Sequence, residues 1–400
     1  MLKYISKLIF AIRHRIIFPS GFIYDFMDKM KYLFFKHTPS LINQIPIGDK
    51  RNLHIANFNN YNGGDLLLTI VIRDLFDKQL HRFNWEKLHV HKKFNPKYIQ
   101  NHTMLLIGGG GLIINDTNRR SSTGWQWDCK DEYMDLIDIP IVVFAVGYNN
   151  FRGKDKFKNQ FKKNINKLIS KSTFFGVRNK GSIKSIKNFT DKSFHSKISY
   201  QPCMTTIIDK LYVDLFQNIN KQNSIGINIA FDREEIRYGE NKERIFKQIC
   251  KSLIYLSKNF LIHYIAHDPN DEKFIKYLNA YNVEYELIRL YSCKPEKIIN
   301  YYKNQKIIIG TRGHSQMIPF GCNTMILSLI SHNKLYWFLE DNNLLDLGIE
   351  IFEKNLDIEI IDKIENINEN YSDYMNRINK AKNKIYDITS KNLELIAKQL

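Results

Sequence analysis

The apolar residues of this chain fall into two kinds of block that alternate along most of its length. Runs of consecutive apolar side chains, such as those within 140–147 and 306–310, are typical of strands buried on both faces of a parallel sheet. Between such runs, segments such as 66–76 and 154–170 repeat their apolar positions with the period of a helix. This alternation predicts an α/β protein whose parallel sheets carry helices on both faces.

The predicted strands form two series, separated by a polar stretch at 217–223. The first series lies at 52–57, 86–91, 103–107, 140–147 and 173–177, and the second at 224–231, 260–266, 283–290 and 306–310. We therefore predict two Rossmann-like domains facing across a cleft, an N-terminal one over 51–215 and a C-terminal one over 224–365. A helical tail is predicted over 366–400, and a chain of 400 residues suits this organisation.

The first 50 residues are basic and aromatic, and we predict a separate helical segment there. Their apolar run is interrupted by Arg13, His14 and Arg15, so it is too short for a membrane span, which needs about 20 apolar residues. No small-residue cleavage site follows. We expect a cytoplasmic protein, and two alternatives remain open for this segment: peripheral contact with the cytoplasmic face of the membrane, or packing on the domain.

The five cysteines are scattered, with no CxxC pair and no Cys/His cluster, so neither a disulfide framework nor a metal site is expected. The net charge of +18 is concentrated: residues 152–197 hold fourteen Lys or Arg and two acidic residues. Such a stretch can attract an acidic polysaccharide, anionic lipid or nucleic acid, or it can be the solvated face of helices. No RRM, KH or zinc-finger pattern accompanies it, so no nucleic-acid partner is expected.

Candidate chemistry lies where predicted strands end. Arg312 and His314 follow the strand at 306–310 and precede a helix, and open α/β sheets bind ligands at that position. Arginine suits carboxylate or phosphate, and histidine transfers protons near neutral pH. Arg178 follows the strand at 173–177 in the same way. The alternatives are that His314 caps a helix, that Arg312 forms a salt bridge and that Arg178 faces solvent.

Two glycine clusters also follow predicted strands. Residues 62–65 read Asn-Gly-Gly-Asp; Asp65 could accept a proton from a sugar hydroxyl, or it could cap the following helix. Four consecutive glycines at 108–111 follow the strand at 103–107 and suit a phosphate or sugar loop. They do not form a GxGxxG fingerprint, so a dinucleotide cofactor is not indicated.

The order of these motifs resembles the polysaccharide pyruvyltransferase family. The matching segments are 62–65, 108–111, 177–182, 267–272 in a looser form, and 310–314, and the resemblance runs from about residue 53 to 347. It implies a fold similar to GT-B glycosyltransferases. It also implies transfer of a pyruvyl group from phosphoenolpyruvate to a sugar of a cell-surface polysaccharide or its lipid-linked precursor, which forms a ketal.

The resemblance also implies roles for single residues. Arg178 and Arg312 would hold the donor anion with help from Lys180, His314 would protonate the donor, and Asp65 would deprotonate or orient the acceptor hydroxyls. The other substrate-binding candidates are Asn62, Gly64, Gly109, Gly110 and Gly313. The partners would be phosphoenolpyruvate and a glycan or lipid-linked saccharide, with no metal and no cofactor beyond this donor.

Three positions depart from the family pattern: Asn179 stands where aspartate is common, 147–150 read Gly-Tyr-Asn-Asn in place of a Gly-Pro-rich turn, and Asn323 replaces a proline. These departures bear on donor contacts and acceptor identity. Two other functions stay open. One is a GT-B glycosyltransferase that uses a nucleotide-sugar donor, and the other is a non-catalytic protein that binds glycans or the membrane surface.

Overall fold

The computed structural model describes residues 51–58, 61–118, 121–151, 157–217 and 219–400. The helical segment predicted over 1–50 lies outside the described residues, as does the start of the helix predicted over 154–170. The described residues form two parallel six-stranded sheets flanked by helices. The prediction of an α/β fold with two Rossmann-like halves is therefore confirmed.

The first sheet has the strand order β2-β1-β3-β4-β5-β6, and all of its pairings are parallel. Its strands are β1 Arg51–Ala56, β2 Trp85–His89, β3 His102–Ile113, β4 Ile141–Tyr148, β5 Phe174–Val177 and β6 Ile198–Tyr200. The order reverses between β1 and β3. In a doubly wound sheet, this reversal opens a crevice at the carboxyl ends of the strands.

The second sheet has the order β12-β11-β10-β7-β8-β9, again entirely parallel. Its strands are β7 Ser224–Asn228, β8 Leu261–Ala266, β9 Glu286–Arg289, β10 Ile307–Gly310, β11 Met325–Ile330 and β12 Gly348–Glu350. Here the order reverses between β7 and β10. The segment that contains Arg312 and His314 follows β10, so it lies at the crevice of the second sheet.

Helices connect the strands on both faces. The α-helices are α1 Gly63–Leu80, α2 Asp131–Asp135, α3 Asn159–Lys171, α4 Lys180–Lys187, α5 Ile208–Leu211, α6 Glu234–Tyr238, α7 Lys242–Leu256, α8 Ile275–Ala280, α9 Pro295–Lys303, α10 His314–Gly321, α11 Asn333–Asp341, α12 Leu356–Glu369 and α13 Tyr371–Ala397. Short 3₁₀ helices lie at Pro96–Ile99, Lys192–Lys197, Met204–Ile207, Val213–Phe216, Gly239–Asn241, Pro269–Phe274, Leu290–Ser292 and Leu345–Leu347.

A continuous apolar core joins the two halves. Leu68 of α1 and Phe144 of β4 belong to the same buried cluster as Met204, Ile227 and Ile309. A second cluster lies on the opposite face of the first sheet and includes Trp125, Trp127 and Phe161. The shared cluster means that the two halves pack against each other through buried apolar side chains.

Most of the predicted C-terminal tail is the single helix α13, which contacts the first half. Asn392 donates to the carbonyl of Tyr200 at 2.9 Å, and Lys382 donates to Asp209 Oδ2 at 2.9 Å. Lys382 also contacts Asn323, whose φ of 58° is a conformation that proline cannot adopt. The boundaries 51–215, 224–365 and 366–400 remain predictions.

The predicted strand end at residue 107 is wrong, because the four glycines at 108–111 lie inside β3 and not in a loop after it. Gly108 and Gly110 have φ of 133° and 100°, which side chains rarely adopt. A Cβ on Gly109 would lie 2.9 Å from Ile72 Cδ1 of α1. The glycines therefore let α1 pack closely on β3.

Candidate functional site

The N-terminus of α1 places the first candidate residues in the cleft. Asn62 is the N-cap: its side-chain oxygen accepts hydrogen bonds from the backbone N–H of Gly64 at 3.0 Å and of Asp65 at 3.1 Å. The alternative that Asp65 caps this helix is wrong, because Asp65 lies within the first turn. Its carboxylate is therefore free to face the cleft, where Asn57 Nδ2 donates to its Oδ2 at 3.0 Å.

His314 faces Asp65 from the opposite sheet. Its Nδ1 lies 3.5 Å from Asp65 Oδ1, so α10 of the second half and α1 of the first half jointly form the pair. The other ring nitrogen, Nε2, is buried and has no hydrogen-bond partner among the described residues. A buried nitrogen without a partner is costly, and a bound substrate would relieve that cost.

Gly64 makes this approach between the two halves feasible. A Cβ at position 64 would lie 2.5 Å from His314 Cβ and 2.6 Å from Nδ1. We expect Gly64→Ala to displace His314 and lower turnover at least about tenfold, since misplacement by about 1 Å can cost up to 10²-fold. Steady-state kinetics would check this. Gly313→Ala is the comparison, because its Cβ would meet only Lys334, at 3.6 Å, and a loss as large as that of Gly64→Ala would contradict the steric argument.

Burial and nearby cations set the charges of the pair. Desolvation raises the pKa of Asp65 to about 6, and Lys334, Arg312 and Arg178 limit that rise. Burial also lowers the pKa of His314 well below its usual value, with further lowering by Arg178, His267, Lys334 and Arg312. At neutral pH the free site therefore holds an ionised Asp65, a neutral His314 and several cations, which favours an incoming anion.

The raised pKa of Asp65 predicts a pH dependence of stability. Between the ordinary aspartate value of about 4 and its native value of about 6, the native state binds more protons, so stability falls as pH rises through this window. We expect Asp65→Asn to remove this loss and to raise stability above pH 6 by at most about 3 kcal/mol.

Urea unfolding of Asp65→Asn between pH 4 and pH 8 measures this effect. Asp346→Asn is the matched control, because Arg377 lowers the pKa of Asp346 and its replacement should destabilise the protein at neutral pH. Equal pH profiles for wild type and Asp65→Asn would show that Asp65 does not titrate as inferred.

Arg178 is a buried cation with two nitrogens that lack a hydrogen-bond partner among the described residues. It follows β5, its residue is 5% exposed, and its Nε and Nη2 have no hydrogen-bond partner in the described part of the chain. Its guanidinium packs on Gly147, where a Cβ would lie 2.6 Å from Nη2. Desolvation lowers its pKa. A buried guanidinium without a partner is costly unless a ligand supplies the anion.

Arg312, in contrast, is already neutralised. Its Nη2 lies 2.6 Å and its Nε 2.9 Å from the carboxylate oxygens of Asp271, and its Nη1 lies 2.9 Å from Asp232 Oδ1. The salt bridge named as the alternative in the sequence is therefore present. The Nε, Nη1 and Nη2 groups of Arg312 thus already have carboxylate partners. Substrate binding by Arg312 remains a prediction.

The sequence did not indicate Asp271 or Asp232 as site residues. Asp271 lies within 267–272 and is fully buried, and Asp232 lies just after β7. Burial would raise the pKa of Asp232, but Arg237, Arg312 and Lys334 overcome that effect and hold it well below its usual value. Acidic residues after a strand are common in turns, so their positions alone could not identify these pairs.

Lys334 is a second buried basic residue at the site, and the sequence did not indicate it. It lies in the first turn of α11, after β11, and its Nζ donates to Asn149 Oδ1 at 3.2 Å. Burial lowers its pKa to about 7. Asn149 belongs to the segment 147–150, which departs from the family pattern. The strand at Met325–Ile330 could have pointed to Lys334, because candidate residues follow other strands of this sheet.

Several predicted substrate-binding residues have other contacts. Lys180 donates its backbone N–H to Asp341 Oδ2 at 2.9 Å, and its side chain is exposed. Gly109 and Gly110 lie buried inside the strand β3, so the prediction of a loop is wrong, and substrate binding by these residues stays a prediction. Gly313 adjoins Lys334, and Asn62 acts as a helix cap. Asn62, Gly64 and Gly313 thus shape the cleft.

The basic stretch is partly explained by ion pairs with α2. Lys167 Nζ lies 2.5 Å from Asp135 Oδ2, and Lys163 lies 3.2 Å from Asp131. Within the described ranges, no group of three or more His, Cys, Asp or Glu side chains could hold a metal ion. None of the helices described in the structure has both the length and the apolar content of a membrane span.

Comparison with solved structures gives the fold. The S. aureus MnaA–UDP co-structure has a TM-score of 0.50 and 12% identity, with 86% of this chain and 97% of that chain covered. A putative UDP-N-acetylglucosamine 2-epimerase from Listeria monocytogenes has the same score and identity, with 87% and 97% covered. At such low identity these likenesses establish the GT-B-like fold and no activity.

Comparison of the sequences gives the family. No curated protein matches the chain. The family described as polysaccharide pyruvyl transferase matches residues 58–331, which is more than half of the chain. This range includes Asp65, Arg178 and His314, which the fold brings to one cleft. The chain belongs to the polysaccharide pyruvyl transferase family.

Proposed function

We propose that the protein transfers the pyruvyl group of phosphoenolpyruvate to two hydroxyls of a saccharide and forms a pyruvate ketal. The observation that carries this proposal is the pair of basic residues Arg178 and Lys334, neither of which has a salt bridge within 4 Å in the described chain, beside the Asp65–His314 pair. Family membership supports pyruvyl transfer, and the charges at the cleft support a small donor with several negative charges.

The charges of the donor match the free cations. Phosphoenolpyruvate carries its carboxylate and its phosphate on the same carbon, so its site needs at least two fixed positive groups within a few ångströms. Arg178 offers a planar fork for one of these anions, and Lys334 offers a point charge for the other. Arg312 contributes mainly through its electrostatic field, because its N–H groups are already paired with Asp271 and Asp232.

Donor binding would also switch His314 into an acid. In the free protein, burial and then nearby cations such as Arg178 lower the pKa of His314. A bound trianion offsets those cations, so the pKa of His314 rises and the imidazolium forms. Its Nε2, which has no partner among the described residues, then donates a proton to the donor methylene carbon. Asp65 supports the imidazolium at Nδ1.

The remaining steps conserve atoms and charge. Protonation of the methylene makes the carbon that bears the phosphate electrophilic, and one acceptor hydroxyl forms a C–O bond to it while losing its proton. A second hydroxyl then attacks the same carbon, and the bond to the phosphate oxygen breaks. Asp65 is the candidate to take a hydroxyl proton, because its pKa of about 6 suits a general base near neutral pH. Inorganic phosphate leaves with the second proton.

The acceptor is proposed as a sugar of a cell-surface polysaccharide or of its lipid-linked precursor. A cytoplasmic reaction, with peripheral contact at the membrane for lipid-linked acceptors, suits this substrate. All five cysteines are free, and four of them are buried, which suits a reducing compartment.

Isothermal titration calorimetry with phosphoenolpyruvate, set against nucleotides and nucleotide sugars, tests the proposed donor. We expect phosphoenolpyruvate to bind, and Arg178→Ala to weaken binding at least about tenfold, since charge-assisted hydrogen bonds contribute about 1.5–3 kcal/mol. Lys184→Ala, on the exposed face of the same α4, is the control and should bind as the wild type does. Binding of a nucleotide with no response to phosphoenolpyruvate would refute this donor and favour glycosyl transfer.

A further inference from the structure

One face of α11 lies at the boundary between the halves. It carries Lys334 and contacts the segment of the first half that follows Arg178. Lys334, Trp337 and Asp341 are spaced three and four residues apart, so they lie on the same side of the helix. Each of them contacts the first half of the molecule. The helix belongs to the second half, since it follows β11.

Three contacts fix this face on the first half. Lys334 donates to Asn149, which follows β4. Trp337 packs on Gly181 so closely that a Cβ there would lie 2.2 Å from its ring. Asp341 Oδ2 accepts the backbone N–H of Lys180 at 2.9 Å, at the first residue of α4.

Asp341 is built into this boundary and does not face solvent. Its residue is 6% exposed, and the hydroxyl of Tyr200 at the end of β6 lies beside its carboxylate. A small cavity of about 10 Å³ is lined by Asp341, Tyr200, Asn179 and Arg178, among others. Asp341 and Arg178 therefore border the same enclosed space. Arg178 lies two residues before Lys180, whose backbone N–H donates to Asp341.

Because it lies at this boundary, Asp341 can affect the position of Arg178, which a surface carboxylate could not do. Arg178 has no partner for its Nε and Nη2 in the described chain, so no protein anion fixes its guanidinium. Its backbone is fixed instead: Arg178 N donates to Val146 O at 2.9 Å, and Asn179 caps α4. Asp341 adds the contact from the opposite half, and the same helix carries Lys334.

We propose that Asp341 is a positioning residue, and that α11 sets the separation of Arg178 and Lys334 so that one donor molecule reaches both. The inference rests on the proposed donor. Its physical basis is that a rigid helix transmits position: Lys334 at one end and Asp341 at the other move together. Loss of the Asp341 contact would let α4 and Arg178 shift relative to Lys334, which weakens donor binding before it affects proton transfer.

A double-mutant cycle tests this inference by calorimetric titration of the full chain with phosphoenolpyruvate. We expect Asp341→Ala to weaken binding about tenfold in the wild-type background and less than about twofold in Arg178→Ala, because coupled residues give non-additive effects. The Michaelis constant for the donor should rise while turnover changes little. Asp341→Asn retains an oxygen that can accept the Lys180 N–H, so it should recover most of the affinity.

The control is Asp346→Ala, which removes an exposed ion pair to Arg377 of α13 and should leave donor binding unchanged. Thermal unfolding establishes that each variant is folded. A folded Asp341→Ala that binds as the wild type does, or an equal loss in the Arg178→Ala background, would overturn the inference. Absence of phosphoenolpyruvate binding by the wild type would refute the proposed donor, and the inference with it.

Discussion

Replacement of His314 with alanine is expected to lower turnover by about two to four orders of magnitude, the usual range for loss of a general acid. The expectation rests on its contact with Asp65 and on its buried Nε2, which has no hydrogen-bond partner among the described residues. Folding should be little changed, because His314 is uncharged in the free protein and its pKa is lowered by burial and by neighbouring cations. Steady-state assays of phosphate release with an acceptor saccharide would measure the loss.

The matched control is His263→Ala, another buried histidine, which lies in β8 and is 3.6 Å from Glu286 on the far side of the second sheet. Its turnover should stay within about twofold of the wild type, as expected for a residue outside the site. Proton uptake gives a second readout: if donor binding protonates His314, the binding enthalpy will depend on the buffer more strongly in the wild type than in His314→Ala, where Lys334, with a pKa of about 7, can still take up a proton. Near-normal turnover of His314→Ala would remove this residue from the mechanism.

Replacement of Arg312 with alanine is expected to destabilise the fold by about 3–5 kcal/mol, the usual cost of removing one partner of a buried ion pair. Asp271 is fully buried and receives three contacts from this guanidinium, the shortest at 2.6 Å. Without Arg312, the fully buried carboxylate of Asp271 has no other salt-bridge partner among the described residues, whereas Asp232 keeps Arg237 at 2.8 Å. Urea unfolding at neutral pH would measure the change.

Arg178→Ala provides the contrast, because it removes a buried cation that the structure leaves without a hydrogen-bond partner on Nε and Nη2 in the described residues. We expect its stability to equal or exceed that of the wild type while donor binding falls. Donor binding and unfolding free energy therefore both have to be measured for Arg312→Ala, because loss of stability alone could reduce its binding. If Arg312→Ala were as stable as the wild type and yet lost binding, Arg312 would be a donor ligand and not chiefly a structural partner of Asp271.

The sequence was informative where local pattern and burial coincide. The run at 140–147 became β4, and the run at 306–310 became β10, because strands buried on both faces need consecutive apolar side chains. It was less informative at β3, where the glycines at 108–111 suggested a loop. The tertiary structure explains them: α1 leaves no room for a Cβ at Gly109, Asn149 leaves none at Gly111, and Gly108 and Gly110 have positive φ.

By itself, the sequence determined the α/β class, the two halves and the strand ends that carry Asp65, Arg178 and His314, because these follow from periodicity and from chain order. Only the tertiary structure decided which arginine is free, since Arg178 and Arg312 have the same local context and differ in the acids that distant segments bring to them. It alone added Lys334 and Asp341, because the charge at a site depends on separation in space, and separation along the chain does not reveal it.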